Sequence, residues 1–220
     1  MTQSSRANQC SSTPAWRAAQ SRDWSIYFDL MEGKPARETL IDAVRAFDSD
    51  GLADAAKTAI DLGCGSGRDT AELLSRGWTV EAIDGTPEAL QRLLVWPGIE
   101  PGERLTIRLV DFERLTALRP VRLVNASFCL PFCPPGHFER VWGLVRTAIE
   151  PGGRFAGQLF GERDSWAALP DRSHQTRDEA IGLFDGLKLE RFDEEERDAE
   201  DAEGNAKHWH VYHVVAKRPE

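Results

Sequence analysis

The chain has 220 residues, is 41% hydrophobic, and sets 27 Lys+Arg against 36 Asp+Glu for a formal net charge of −9. That length carries one α/β domain with a proper core, and the acidic balance argues against a nucleic-acid partner, whose phosphates need a basic stripe. Met1–Thr13 is polar and holds no apolar stretch of signal-peptide or membrane-spanning length, and the four cysteines (Cys10, Cys64, Cys129, Cys133) are too few and irregular for a disulfide framework; the expectation is a cytoplasmic protein with reduced thiols and no membrane partner.

Residues 1–20 are rich in Ser, Gln, Thr and Ala without periodicity and read as a mobile tail, leaving 21–220 as a single domain. An aromatic cluster follows at Trp24, Tyr27 and Phe28. Within Arg37–Phe47, Leu40, Ile41, Val44 and Phe47 recur on one helical face. Thr58–Leu62 reads as a strand. It runs into Asp61-Leu62-Gly63-Cys64-Gly65-Ser66-Gly67-Arg68-Asp69, where alternate glycines let the backbone bend at positive φ and lie close to a ligand.

Asp69–Arg76 then reads as a helix stopped by Gly77, Thr79–Ile83 as a strand, and Thr86-Pro87 as the N-cap and first-turn proline of a helix through Leu94. Asp84 closes the second strand 23 positions after Asp61, where a carboxylate would hold a ribose diol. Leu105–Val110 and Val121–Ser127 are the third and fourth strands, and Asp111 closes the third. Phe138, Val141, Trp142, Val145 and Ile149 mark a helix ending at Pro151-Gly152-Gly153, before a fifth strand at Arg154–Phe160.

Thr176-Arg177-Asp178-Glu179 is a capping box opening a helix through Phe184. Leu187–Phe192 and His208–Ala216 read as two strands joined around Gly204-Asn205, with the acidic run Asp193–Glu203 as a solvated loop. Alternating βα units followed by a hairpin imply an α/β fold whose parallel sheet carries one antiparallel strand.

The glycine string differs from the dinucleotide fingerprint, because its third glycine comes one residue sooner and a carboxylate precedes the first. It resembles motif I of the class I S-adenosylmethionine-dependent methyltransferases, and Asp84 and Asp111 match that family's second and third acidic positions. From Trp24 to Lys217 the chain resembles the bacterial small-molecule methyltransferases grouped with the tellurite-resistance enzymes, although Asn125–Phe132 departs from the tellurite pattern. The resemblance implies a Rossmann-like, seven-stranded, mostly parallel sheet with helices on both faces and a C-terminal antiparallel hairpin. It implies S-adenosyl-L-methionine as cofactor, with Asp61, Gly63, Gly65 and Gly67 beneath its methionyl part. Asp84 and Gly85 would then lie at the ribose, Asp111 and Phe112 at the adenine, and Asn125 near the sulfonium.

Methyl transfer chiefly needs alignment of nucleophile and methyl group, so a general base is optional. His174 is the base candidate, with Asn125 as a second catalytic candidate. Trp24, Tyr27, Phe28, Phe128, Phe132, Phe160 and Trp166 are candidates to wall an acceptor pocket. The acceptor atom stays open between a thiol or chalcogen oxyanion and an oxygen or nitrogen of a metabolite, and a non-catalytic cofactor-binding sensor or partner subunit is the alternative. Asp23–Arg37 is expected to act as a lid within an N-terminal segment 23–47, with Tyr27 over the cofactor and Arg37 pairing the methionyl carboxylate. His208 and His210 share a strand face while His213 points away, so no metal site is expected there or at Cys129 and Cys133.

Overall fold

The computed structural model describes residues 24–99, 102–201 and 204–220, so the expected tail over 1–20 lies outside the described residues. Helix α1 (Ser25–Met31) and helix α2 (Glu38–Asp50) precede strand β1 (Thr58–Leu62). Then come α3 (Arg68–Ser75), β2 (Thr79–Asp84), α4 (Pro87–Leu94), β3 (Leu105–Leu109), β4 (Val121–Ala126), α5 (Pro135–Ala148) and β5 (Ile149–Gly161). The chain closes with β6 (His174–Gln175), α6 (Arg177–Gly182), β7 (Lys188–Glu200) and β8 (Ala206–Lys217).

The strands form one sheet in the order β3-β2-β1-β4-β5-β8-β7, parallel from β3 to β5, with β8 antiparallel to both β5 and β7. The two-residue β6 pairs with the end of β5 and is an eighth strand that no pattern announced. Because strand side chains alternate, Ile60, Val124 and Phe155 face a core completed by Trp142 and Phe184, while Ala59, Val80 and Leu123 face one built around Phe47 and Trp78. Helices therefore cover both faces. On α2, Leu40, Val44 and Phe47 are buried as the periodicity requires, and Gly51 closes the helix at φ 71°.

Three expectations need correction. Helix α5 ends at Ala148, and Pro151-Gly152-Gly153 lies inside β5, where the register against β4 shifts. A bulge absorbs the glycines: a Cβ on Gly153 would lie 2.7 Å from the Arg122 carbonyl. Thr86 does stand at the N-cap of α4 with Pro87 in the first turn, but its side chain makes no cap bond and its hydroxyl instead donates to Asp84 Oδ1 at 2.7 Å.

The acidic run Asp193–Glu203 is not a loop, since β7 continues to Glu200 in register with all of β8. A long β8 needs partners for its backbone polar groups, and β7 supplies them as an edge strand whose charges blunt the edge. Its acids are matched by basic side chains, among them Arg191 to Asp193, Arg163 to Glu194 and Glu196, and His213 to Glu195.

Candidate functional site

Strand order reverses between β1 and β4, the place where an open α/β sheet leaves a crevice beyond its strand ends. A cavity of about 480 Å³ opens there, within the usual range for one small-molecule site. It has an acid-and-glycine half over β1 and β2 and an aromatic half over β4, β5 and β8.

The three glycines of the β1–α3 turn all take positive φ, at 65°, 54° and 102°, but for different reasons. A Cβ on Gly63 would overlap the Cβ of Cys129 and lie 3.0 Å from its sulfur, so β1 and β4 meet there only without a side chain. Gly65 lines the cavity, and its N–H donates to Asp84 Oδ2 at 3.0 Å. Gly67 is not in the cavity wall; it caps α3, where a Cβ would press on Leu93 at 3.0 Å.

Asp61, Asp69, Asp84 and Asp111 all line the cavity. Asp84 is aimed by three donors, the Gly65 and Thr86 backbone N–H groups and the Thr86 hydroxyl, which leave lone pairs free for a ligand. Gly85 sits tight beneath Asp111, whose Cα a Cβ there would approach to 3.2 Å. Asp111 accepts the Arg114 N–H at 2.8 Å, with Phe112 beside it in the wall.

Asp61 and Asp69 form a buried pair bridged by one amide. Asn125 Nδ2 donates to Asp61 at 2.8 Å and to Asp69 at 3.1 Å, and Thr70 donates to Asp61 at 2.6 Å. Asp69 also accepts the Arg37 N–H and Arg68 Nε, both at 3.1 Å. Burial, then the Asp69 charge, push Asp61 up to about 7, against the opposing bonds from Thr70 and Asn125. A folded pKa above the ordinary 3.8 means that the folded state keeps a proton the unfolded chain has released. Asp61's contribution to stability is therefore fully present below about pH 4 and lost as pH rises through about 7. Asp61→Asn, with the Thr70 hydroxyl turned to accept, is expected to stabilise the ligand-free protein by about 2 kcal/mol at pH 8. Denaturant melts across pH should show that gain shrinking toward pH 5; a gain independent of pH would refute the charged-pair account.

The aromatic half is walled by Trp24, Phe128, Phe132, Phe160, Trp166 and Trp209. Phe128 is the one non-glycine among the described residues with positive φ, 53°, a conformation costing about 1–2 kcal/mol. Gln158 holds it there: its Oε1 accepts the Phe128 N–H at 3.0 Å while its Nε2 donates to Thr39 at 2.9 Å. Arg37 stacks on the other side, its guanidinium carbon 4.3 Å from the Phe128 ring centre. Tyr27, Phe28 and Met31 of α1 complete the roof, tied to α4 by Ser25 to Glu88 at 2.8 Å and Arg92 to Asp29 at 2.5 Å.

Two candidates lie elsewhere than the sequence suggested. His174 is exposed on β6 and does not line the cavity, because the β5–β6 pairing carries it to the sheet edge. Asn125 is fully buried behind the cavity wall, its amide spent on the two carboxylates, so it positions them and is not itself presented to a ligand. Sequence reasoning missed Asp69, Gln158, Arg172, Glu195, Lys207 and Trp209. Asp69 carried a signal in its place just after the glycine turn; the hairpin brings Glu195 and Trp209 to the cavity, Arg172 reaches it from the loop before β6, and Gln158 and Lys207 act from behind its wall.

Glu194, Glu196 and His210 bring ligand atoms within 4.8 Å of one another. Arg163 Nη2 fills that cluster, 3.0, 2.7 and 3.1 Å from the three. His208 pairs with Asp198 at 2.7 Å and His213 with Glu195 at 2.8 Å. Cys64, Cys129 and Cys133 are buried, and burial pushes the first two well above the ordinary cysteine range.

Residues 59–153 match the model of a family described as a methyltransferase domain. Comparison with curated proteins finds no match. Among solved structures the chain is similar to TehB from Haemophilus influenzae, with TM-score 0.65 at 15% identity over 80% of this chain and 61% of that one. It is similar to the 1,6-didemethyltoxoflavin-N1-methyltransferase of Burkholderia thailandensis with bound 1,6-didemethyltoxoflavin and S-adenosylhomocysteine, with TM-score 0.59 at 19% identity over 95% and 92% of the two chains. The magnesium protoporphyrin IX methyltransferase of Synechocystis PCC 6803 with bound S-adenosylhomocysteine gives TM-score 0.63 at 12% identity over 92% and 97%. At these identities the likeness is one of fold, and the chain spans about three fifths of the TehB chain.

Proposed function

We propose that the chain is an S-adenosylmethionine-dependent methyltransferase that methylates a small-molecule acceptor held in the aromatic half of the cavity, a reading supported by the methyltransferase-domain match over residues 59–153 and by the fold. The observation that carries this reading is the continuity of one cavity from the acid-and-glycine half to the aromatic half.

The residues present fit the cofactor. Among the described residues Arg37 Nε is buried with no hydrogen-bond partner and its guanidinium makes no ion pair, which suits a methionyl carboxylate. Asp61 and Asp69 suit the methionyl ammonium, whose charge would relieve their mutual repulsion. Asp84 suits a ribose diol, and Asp111 with Phe112 an adenine. When bound, the cofactor supplies a methyl group activated on a sulfonium. The chain's part is to fix the cofactor from the acid half, keep water out with α1 and the aromatic walls, and orient the acceptor.

α1 carries Tyr27 and Phe28, with Trp24 at its N-cap, and precedes the Gly33 bend at φ 69°, which supports the reading of this segment as a lid. Hydrogen exchange across residues 24–37 is expected to slow on addition of S-adenosylhomocysteine. Equal exchange in both states would leave α1 a fixed roof.

The test of function is transfer of labelled methyl from S-adenosylmethionine to a panel of thiols, selenite, tellurite, phenols and amines. Label in at least one product is expected. Tight cofactor binding with no transfer to any of them would favour a cofactor-binding sensor.

A further inference from the structure

Of the six rings walling the aromatic half, all but Trp24 already have a cation of the chain itself on one of their faces. Lys207 Nζ lies 4.2 Å from the Trp166 ring centre, 4.3 Å from Trp209 and 5.2 Å from Phe160. The Arg172 guanidinium lies 4.7 Å from Phe132, and that of Arg37 4.3 Å from Phe128. Lys207 and Arg172 are almost fully buried, so these contacts belong to the built interior.

Burial lowers the pKa of Lys207 from its ordinary value, and Asp164, which its ammonium touches directly, opposes that shift. The Asp164 carboxylate also accepts the Trp166 N–H at 2.9 Å and the His210 N–H at 3.2 Å, so three donors converge on it. The same bonds tie β8, bearing Trp209, to the turn bearing Trp166. Lys207 and Asp164 are thus positioning residues for two walls of the acceptor space.

An aromatic box is the usual receptor for a cationic ligand, because ring faces attract positive charge. Here the chain's own cations have taken those faces, and a second positive charge entering the box meets them through a single ring. The box also offers few bases: of the carboxylates lining it, Glu195 and Asp201 are engaged by neighbouring donors and Glu200 is exposed to solvent. Among the described residues lining it none is a histidine, and Asp201 is taken up by the Asn205 backbone and side-chain N–H groups at 2.9, 3.2 and 3.3 Å. Burial raises Glu195, but bonds from Arg197 and His213 more than reverse this and hold it below the usual carboxylate range. An ammonium acceptor would have to lose a proton before it could attack, whereas an anionic one is nucleophilic as it arrives.

From the filled ring faces and the engaged Glu195 and Asp201 carboxylates we propose that the acceptor is a flat aromatic anion of one or two rings, an aryl oxide or aryl thiolate, and that Lys207 with Asp164 sets this preference over amines. This rests on the reading of the adjoining half as the cofactor site. Stacking against Trp166, Trp209 and Phe132 then fixes the ring plane, and the volume left beside a cofactor limits the acceptor's size.

The test is calorimetric and needs no turnover. Protein saturated with S-adenosylhomocysteine is titrated, at mildly alkaline pH, with 4-nitrophenolate and separately with (4-nitrobenzyl)ammonium, two probes of similar shape and opposite charge. The phenolate is expected to bind at least about tenfold more tightly. Because Lys207→Met alone would strand a buried carboxylate, the variant combines it with Asp164→Asn. It is expected to narrow the preference by about fivefold while S-adenosylhomocysteine affinity stays within about twofold. Equal or tighter binding of the ammonium, binding of neither probe to the loaded protein, or an unchanged preference in the folded double variant would overturn the proposal. Failure of S-adenosylhomocysteine to bind at all would instead overturn the cofactor reading beneath it.

Discussion

Asp84→Ala is expected to weaken S-adenosylhomocysteine binding by about 1.5–3 kcal/mol, roughly one to two orders of magnitude in affinity, the usual loss for hydrogen bonds to a charged group. The carboxylate stands at the end of β2, held by the Gly65 and Thr86 N–H groups and the Thr86 hydroxyl. Those three donors aim it into the cavity and leave lone pairs unspent. Because the same variant strands the Gly65 N–H, part of any loss could come from a loosened turn. Asp84→Asn separates the two effects, since its amide oxygen can still accept from the turn while its NH2 group cannot accept from a diol. Both variants should bind weakly in calorimetry, and the Asn variant should melt close to the parent. An Asn variant that binds as well as the parent would remove Asp84 from the ribose.

The largest effect on stability is expected at Gly63. An alanine there must adopt φ near 65° and place its Cβ inside the space of Cys129, at a point where β1 and β4 abut. The left-handed backbone costs about 1–2 kcal/mol and the overlap about 1–3 kcal/mol more. Together that is a large part of the roughly 5–15 kcal/mol that holds a domain folded. At about 2–4 °C per kcal/mol, Gly63→Ala should melt roughly 10 °C lower. Gly65→Ala shares the backbone strain, but its Cβ would meet only the Phe28 ring at an ordinary 3.4 Å. It should cost less stability and, standing in the cavity wall, more cofactor affinity. Similar melting temperatures for the two variants would show that the Cys129 contact does not constrain the turn.

Much of this arrangement was legible in the sequence because local rules governed it. Strand β1 was read at Thr58–Leu62, the α6 capping box at Thr176 and Glu179 is present, and Asp61, Asp84 and Asp111 meet in one cavity as their strand-end positions required. The failures came where tertiary demands overrode local ones. The acidic stretch after Phe192 has the composition of a loop, yet β8 needed a backbone partner along its whole length and drew it into β7. That extension carries Glu195 and Arg197 to the cavity, so this part of its wall was hidden behind a charge run.

His174 and Asn125 illustrate the same limit in opposite directions. His174 lay in a segment that looked like an active-site loop, but a two-residue pairing with β5 turns it out to solvent. Asn125 stands at the end of β4 as expected, but its neighbours across the sheet and on α3 are two carboxylates, and they consume its amide. Nothing in a single sequence reports such a partner, because Asp61 and Asn125 are 64 positions apart.

The central claim is that the acid-and-glycine half of the cavity holds S-adenosylmethionine. Titration calorimetry of the unmodified protein with S-adenosylhomocysteine tests it most directly. The account predicts one binding site per chain and an affinity that Asp84→Ala and Arg37→Ala each reduce; absence of binding, or binding that neither variant weakens, would contradict it.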